Sequence, residues 1–139
     1  MSYDITQHTA RQMLESRLNS WATAGIPAVP IAWENDAFEP PTNGAYARAY
    51  LLPAATNDPS LGMAHRRYSG TFQINVFCPK GEGPDAAQVL AEEIEALYPR
   101  GLAINGVRIT KTPEIGRGTP DGNWYMVPVF VTYRLDAFS

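Results

Sequence analysis

The segment from Arg67 to Cys78 restricts the fold of this chain more than any other part of the sequence. Along it, apolar or small side chains alternate with a second set that is polar except at its last member, Phe77. Alternation with a period of two is typical of a β-strand that buries one face and leaves the other open to water. The sequence therefore predicts a sheet with one covered face and one largely polar face.

Two segments have the three- and four-residue apolar spacing of amphipathic helices. The first helix is predicted from Asp4 to Ala24, with an inward stripe of Ala10, Met13, Leu14, Leu18, Trp21 and Ala22. The second is predicted from Pro84 to Tyr98, with Glu92, Glu93 and Glu95 outward and Leu90, Ile94, Leu97 and Tyr98 inward. On this assignment, an aspartate in place of Leu90 should unfold the domain, because it would bury an unpaired charge.

Further strands are indicated by alternation and by turn residues. They are predicted at Ala28–Glu34, Ala45–Leu52, Leu102–Ile104, Val107–Thr112 and Trp124–Phe138. In Ala45–Leu52, one face carries alanines, and these small side chains would let a helix pack closely. Asn105-Gly106 predicts a two-residue hairpin turn, because both turn positions need a positive φ.

The last predicted strand, Trp124–Phe138, is apolar on both faces between Met126 and Val131. We therefore expect it near the centre of the sheet and covered on each side. Pro128 has no N–H to donate, which predicts a bulge or a locally unpaired edge there.

The predicted order of elements gives an α+β fold: one domain with a mostly antiparallel β-sheet and two α-helices packed on one face. Three long loops are expected between the elements, at Asn35–Gly44, Pro53–Arg66 and Pro113–Asn123. Loops of this length in a small domain are often functional.

Composition narrows the class of protein. The chain has 139 residues, and we expect one domain over residues 1–139. Its 11 Lys and Arg against 14 Asp and Glu give a net charge of −3, so no basic field for nucleic acid exists.

The single Cys78 excludes an internal disulfide and fits a reducing compartment. No apolar run reaches the roughly 18 residues of a membrane span, and we expect a soluble, unexported protein.

The residue pattern does not point to catalysis or metal binding. Cys78 has no motif partner, and His8 and His65 lie far apart without carboxylates at zinc-ligand spacing. The glycine-rich segments around Glu82 and Arg117 lack the Lys-Ser/Thr pair of a phosphate loop. We predict a protein that is not an enzyme and has no cofactor and no metal.

Arginine and tyrosine side chains on the predicted sheet leave binding functions open. Tyr46, Arg48 and Tyr50 share one face of a strand, and Arg66 and Arg67 precede the next strand or begin it. Interleaved aromatic and cationic side chains suit base stacking, an anionic ligand or a protein interface. Net acidity disfavours nucleic acid, which leaves an anionic-ligand module and an interface as alternatives.

Three stretches of the sequence resemble a known family. They are residues 26–54, residues 66–99 and the closing stretch from Asn123 to Leu135, and they include the strand end Trp33, Glu34 and Asn35. A loop with Phe38 and Pro40 follows, and later a strand with Tyr68 and Gly70 ends at a Pro-Gly-rich turn before an Ala-rich helix. This pattern is similar to the tail terminator-like proteins of long-tailed bacteriophages.

The resemblance implies a virion structural protein without an active site. Such a protein caps the head-proximal end of the tail tube as a ring, expected to be a hexamer, terminates tube polymerisation and joins the tail to the neck. The implied partners are further copies of the chain, the tail tube protein and a neck or connector protein, with assembly in the host cytoplasm and with no specific nucleic acid or membrane. Another neck or tail-completion role is the alternative within this class.

Assembly contacts of a ring are expected on the polar sheet face and on the long loops, because ring subunits meet head to tail through different patches. The candidate assembly-interface residues are Arg48, Arg66, Arg67, Leu61, Met63, Arg117 and Phe38.

Overall fold

A computed structural model describes residues 7–25, 28–42, 44–59, 65–81 and 84–138. Two helices and eight strands follow in the order α1 (Gln7–Ala24), β1 (Ile31–Ala32), β2 (Tyr46–Pro53), β3 (His65–Pro79), α2 (Asp85–Leu97), β4 (Ala103–Ile104), β5 (Val107–Ile109), β6 (Glu114–Ile115), β7 (Thr119–Asp121) and β8 (Trp124–Phe138). The predicted Asp4, like the rest of residues 1–6, lies outside the described residues.

The sheet is built on the antiparallel pair β3 and β8. Their register runs without interruption from His65 opposite Phe138 to Pro79 opposite Trp124. The strand order is β1-β2-β3-β8-β5-β4, and β6 and β7 also pair with β8. Only β1 pairs in parallel among the described strands. The mostly antiparallel α+β fold predicted from the sequence is confirmed.

Both helices pack on one face of the sheet, as the alternation predicted. Alanines keep the layers close: Ala47 and Ala49 of β2 are buried, and so are Ala87 and Ala91 of α2. The two helices are also joined to each other, since the buried hydroxyl of Tyr98 donates to the carbonyl of Leu14 at 2.7 Å. The apolar core therefore lies between the helix layer and the alternating faces of the long strands.

The inward stripe of α2 differs from the predicted one. The fully buried side chains are Ala87, Ala91 and Ile94 on the helix and Tyr98 just after it, whereas Leu90 is only half-buried. The small alanines take the positions nearest the sheet, because the close approach of helix and sheet leaves no room for larger side chains there. Leu90 lies at the margin of the core and packs against it without being buried, so the structure favours a smaller effect of Leu90→Asp than the sequence predicted.

The first predicted strand is shorter than expected. Of Ala28–Glu34, only Ile31–Ala32 pairs with β2. The chain then turns at Asn35, which has a φ of +58°, a conformation that asparagine tolerates better than most residues. The carboxylate of Glu34 accepts the N–H of Leu51 at 2.7 Å and the Arg11 guanidinium at 3.1 Å. At this part of the sheet edge, a side-chain carboxylate thus accepts a backbone N–H of β2 that a longer β1 would have bonded.

The predicted loop Pro113–Asn123 contains two short strands, β6 and β7, which both pair with β8. Between them, the N–H of Gly116 donates to the carbonyl of Pro128 at 2.8 Å. In a strand, N–H and C=O of one residue point to the same side, so the proline nitrogen faces this segment and not β3. The predicted bulge against β3 is absent, and the missing N–H of Pro128 lies where the pairing with β8 changes from β6 to β7.

The predicted cover on both faces of β8 is found on one face only. The helices cover the face of Val127, Val129 and Val131, which are buried, while Pro128 and Phe130 on the other face are half-buried. Apolar side chains in the middle of this strand are therefore partly open to solvent.

The hairpin turn between β4 and β5 is confirmed at Asn105 and Gly106, with φ values of +51° and +87°. We expect Gly106→Ala to lower the free energy of unfolding by about 1 kcal/mol, because a Cβ disfavours positive φ. Gly106→Asn should cost less, since asparagine tolerates this conformation. Urea unfolding followed by circular dichroism measures both, and an equal loss in the two variants would contradict the backbone explanation.

Candidate assembly surface

Among the described residues, no helix or strand covers most of the sheet face opposite the helices. We call it the open sheet face. Strand alternation and register assign to it Arg48, Tyr50 and Leu52 of β2, Ser69, Thr71, Gln73 and Asn75 of β3, and Met126, Pro128, Phe130, Thr132 and Arg134 of β8. Most of these side chains are half-buried by one another, and Leu52 is 48% exposed. The face is broad and combines apolar and polar side chains.

One end of the open sheet face is closed by aromatic rings. Tyr46 stacks on Phe77 with centroids 4.7 Å apart and meets Trp124 edge-on at 4.9 Å. Phe38, from the loop after β1, lies 5.4 Å from Tyr46, and the Arg48 guanidinium lies 5.8 Å and 5.7 Å from these two rings. Tyr46 is only 3% exposed, so its ring is not available for the base stacking that the sequence left open.

The opposite end of this face is positively charged. It contains three arginines, which we call the arginine cluster: Arg67 of β3, Arg108 of β5 and Arg134 of β8. The Arg67 Nε atom lies 2.8 Å from the Asp136 carboxylate, and the Arg134 Nε atom lies 3.7 Å from it. Arg108 and Arg134 are direct cross-strand partners, an arrangement of like charges that destabilises a sheet.

In the described part of the chain, Asp136 is the one carboxylate that forms ion pairs with the arginine cluster. His65 contacts the Asp136 carboxylate at 2.9 Å. Burial raises the pKa of Asp136, but the hydrogen bonds from Arg67 and His65 and the charges of Arg67 and Arg134 outweigh it and lower that pKa below its usual value. Asp136 is therefore ionised at neutral pH, and its carboxylate lies near two guanidinium groups, those of Arg67 and Arg134, while Arg108 is the cross-strand neighbour of Arg134. The buried Nε of Arg134 finds no hydrogen-bond acceptor in the described part of the chain.

Comparison with known proteins identifies the class. The family model described as phage tail terminator protein matches residues 9–133. This chain belongs to the phage tail terminator family. Its role is therefore structural and lies in the tail of the virion, and the resemblance read from the sequence is confirmed.

Solved structures support the same fold for this tail terminator family member. One structure, whose name carries no functional description, is 39% identical, covers 94% of this chain and 95% of its own, and superposes with a TM-score of 0.78. None of the curated proteins matches this chain. A structural family agrees with the expectation that the chain is not an enzyme.

The structure distributes the predicted interface residues of this tail terminator family member over several places. Phe38 and Arg48 meet at the aromatic end of the open sheet face, and Arg67 belongs to the arginine cluster at the other end. Arg66 is exposed but on the opposite side of β3 by alternation, and Arg117 is exposed between β6 and β7. The predicted Leu61 and Met63 lie outside the described residues.

This placement weakens the alternative of an anionic-ligand module. Arg48 stands opposite Asn75, eight positions along β3 from Arg67, which corresponds to about 26 Å at the rise of a strand. Arg66 faces away from both. The three side chains do not converge on one small ligand.

Two members of the arginine cluster, Arg108 and Arg134, were missed from sequence. Alternation from the Asn105-Gly106 turn and along β8 assigns both to the polar side of their strands, which was a usable signal. Their adjacency depends on the pairing of β5 with β8, which no local pattern reveals.

Two other kinds of functional feature are not present in the described part of this tail terminator family member. No three His, Cys, Asp or Glu side chains are grouped as metal ligands among the described residues. None of the helices in the described ranges has the length and apolar content to cross a bilayer. The open sheet face combines guanidinium groups with partly exposed apolar and aromatic side chains, a composition that is typical of protein interfaces.

Proposed function

We propose that this chain, acting as one domain over residues 1–139, forms a hexameric ring on the head-proximal end of the phage tail tube. The ring stops addition of tube subunits and provides the surface to which the neck attaches. Its partners are other copies of the chain, the tube protein and a neck protein, and it assembles in the host cytoplasm without cofactor or enzymatic activity.

The observation that carries this proposal is the open sheet face. A single subunit leaves Leu52 exposed, Phe130 and Met126 half-buried and the arginine cluster unbalanced on this face. A subunit that works by association needs such a surface, whereas a monomeric protein gains nothing from unbalanced like charges. Phe38, Arg48 and Arg67 are part of this proposed interface, and Arg117 lies at its β7 edge.

The function is tested with phage that lack this protein. We expect overlong tubes and tails that do not join heads, seen by electron microscopy of lysates. Tails of normal length that join heads in its absence would overturn the proposed function.

The surface is tested with Leu52→Asp. We expect the variant to fold, because Leu52 is exposed, and to reduce the yield of joined virions at least about tenfold, because an added charge would have to be desolvated at a subunit contact. Asn19→Asp, an exposed change of the same charge on α1, is the matched control and should behave as wild type. Normal virion yield with Leu52→Asp would remove the open sheet face from the interface.

A further inference from the structure

The outer face of α2 has the opposite character to the open sheet face. The helix contains Asp85, Glu92, Glu93 and Glu95 and no basic residue. Asp85, Val89, Glu92 and Glu93 follow each other at steps that place them on one side of the helix. These four residues, which we call the acidic helix face, are exposed, and Val89 is 54% exposed.

Each of the two surfaces contains one exposed apolar side chain. In the described part of the chain, the exposed large hydrophobic residues are Leu52 and Val89. Leu52 is on the open sheet face, and Val89 is on the far side of the helix layer. The subunit therefore presents two apolar centres on opposite sides, one with arginines nearby and one with carboxylates nearby.

The dimensions of the two surfaces agree. Leu52 is opposite Thr71, which is opposite Thr132, and Arg134 is two positions along β8. Strand spacing and rise place Arg134 about 12 Å from Leu52. The acidic helix face extends from Asp85 to Glu93, which is also about 12 Å at the rise of an α-helix. One helix face can thus cover Leu52 and reach the arginine cluster at the same time.

We propose that the acidic helix face of one copy docks on the open sheet face of the next copy, with Val89 against Leu52 and the carboxylates against the arginine cluster. The inference rests on the proposed ring and names its subunit contact. Carboxylates from the neighbour supply the negative charge that Asp136 alone does not, and they can reach the Arg134 side chain, which is 37% exposed.

Charge also decides the symmetry of the contact. Two open sheet faces would bring two arginine clusters together, and two acidic helix faces would bring carboxylates together, and both arrangements are repulsive. Only unlike faces attract, so the contact is head to tail. Contacts of this kind form a ring when the rotation between subunits closes.

Cross-linking on tails tests the docking. Leu52→Cys and Val89→Cys are introduced together, and tails are treated with a short bis-maleimide. We expect a ladder of covalent multimers that ends at the size of the complete ring. The native Cys78 is buried at 1% exposure and should not react, and wild type is its control. The single variants Leu52→Cys and Val89→Cys should remain monomeric.

Other results would overturn the docking. Dimers from Leu52→Cys alone would indicate a two-fold sheet-to-sheet contact, and a cross-link from Leu52→Cys to the tube protein would make the tube the occupant of the open sheet face. Absence of the ladder on tails of normal length would also overturn it, but would leave the terminator function intact. Normal tails without the protein, by contrast, would overturn the proposed function itself.

Discussion

Ile94→Asp is expected to abolish cooperative unfolding of this protein, because the chain would be unfolded before denaturant is added. Ile94 is fully buried at 0% exposure between α2 and the sheet. Removing its side chain alone costs about 2–5 kcal/mol, and burial of an unpaired carboxylate adds to this. The total approaches the 5–15 kcal/mol by which domains are typically stable. Urea titration followed by circular dichroism measures the result.

The matched control for this prediction is Leu90→Asp, one helical turn earlier on the same helix. Leu90 is half-buried, so its aspartate remains hydrated, and we expect a loss of about 1 kcal/mol with a cooperative transition retained. If both variants unfold cooperatively with similar midpoints, the assignment of Ile94 to the core is contradicted.

Gly70→Ala is expected to lower the free energy of unfolding by about 3 kcal/mol. Gly70 lies on the central strand β3, and a Cβ there would stand 2.5 Å from the Tyr133 hydroxyl and 2.6 Å from the backbone oxygen of Leu52. Backbone on one side and a buried ring on the other leave no direction for relaxation, so the strands must separate. Thermal or urea unfolding measures the loss.

The hydrogen bonds of Tyr133 add to the expected loss of stability in Gly70→Ala. Its hydroxyl donates to the Gln7 side chain at 2.5 Å, and Gln7 in turn donates to the Ser69 carbonyl at 3.0 Å. Burial raises the pKa of Tyr133 to about 12, although the charge of Arg11 lowers it, so the hydroxyl keeps its proton at neutral pH. A methyl group at Gly70 would displace this ring and break the link between α1 and the sheet.

Gly122→Ala is the control for the effect of glycine replacement as such. Gly122 has a φ of +60° and open space where a Cβ would stand. Its replacement should lower the free energy of unfolding by about 1 kcal/mol through backbone conformation alone. The loss at Gly70, by contrast, comes from steric overlap alone. A smaller loss for Gly70→Ala than for Gly122→Ala would contradict the close approach of Tyr133.

Prediction from sequence was accurate where a side-chain pattern depends on one helix or one strand alone. The alternation of β3 and β8 gave the strands and the face that the helices cover, and the spacing in α1 gave its buried stripe. It was inaccurate where packing chooses between apolar residues, as for Ala87 and Leu90, since a periodic pattern gives the direction of a side chain but not the distance to the next layer. It also failed at residues 113–123, because glycine and proline there were taken to mark a loop.

The sequence by itself determined the type of element and the face of each residue, because both follow from local periodicity and turn chemistry. It also carried the motifs that resemble the tail terminator family. Only the tertiary structure decided which strands are neighbours. Pairing of β3 with β8 brings Arg67 and Arg134 together at Asp136, and pairing of β5 with β8 places Arg108 beside Arg134. Folding of a loop over the sheet end buries Tyr46 under Phe38. Both depend on contacts between residues distant in sequence, which local patterns do not encode.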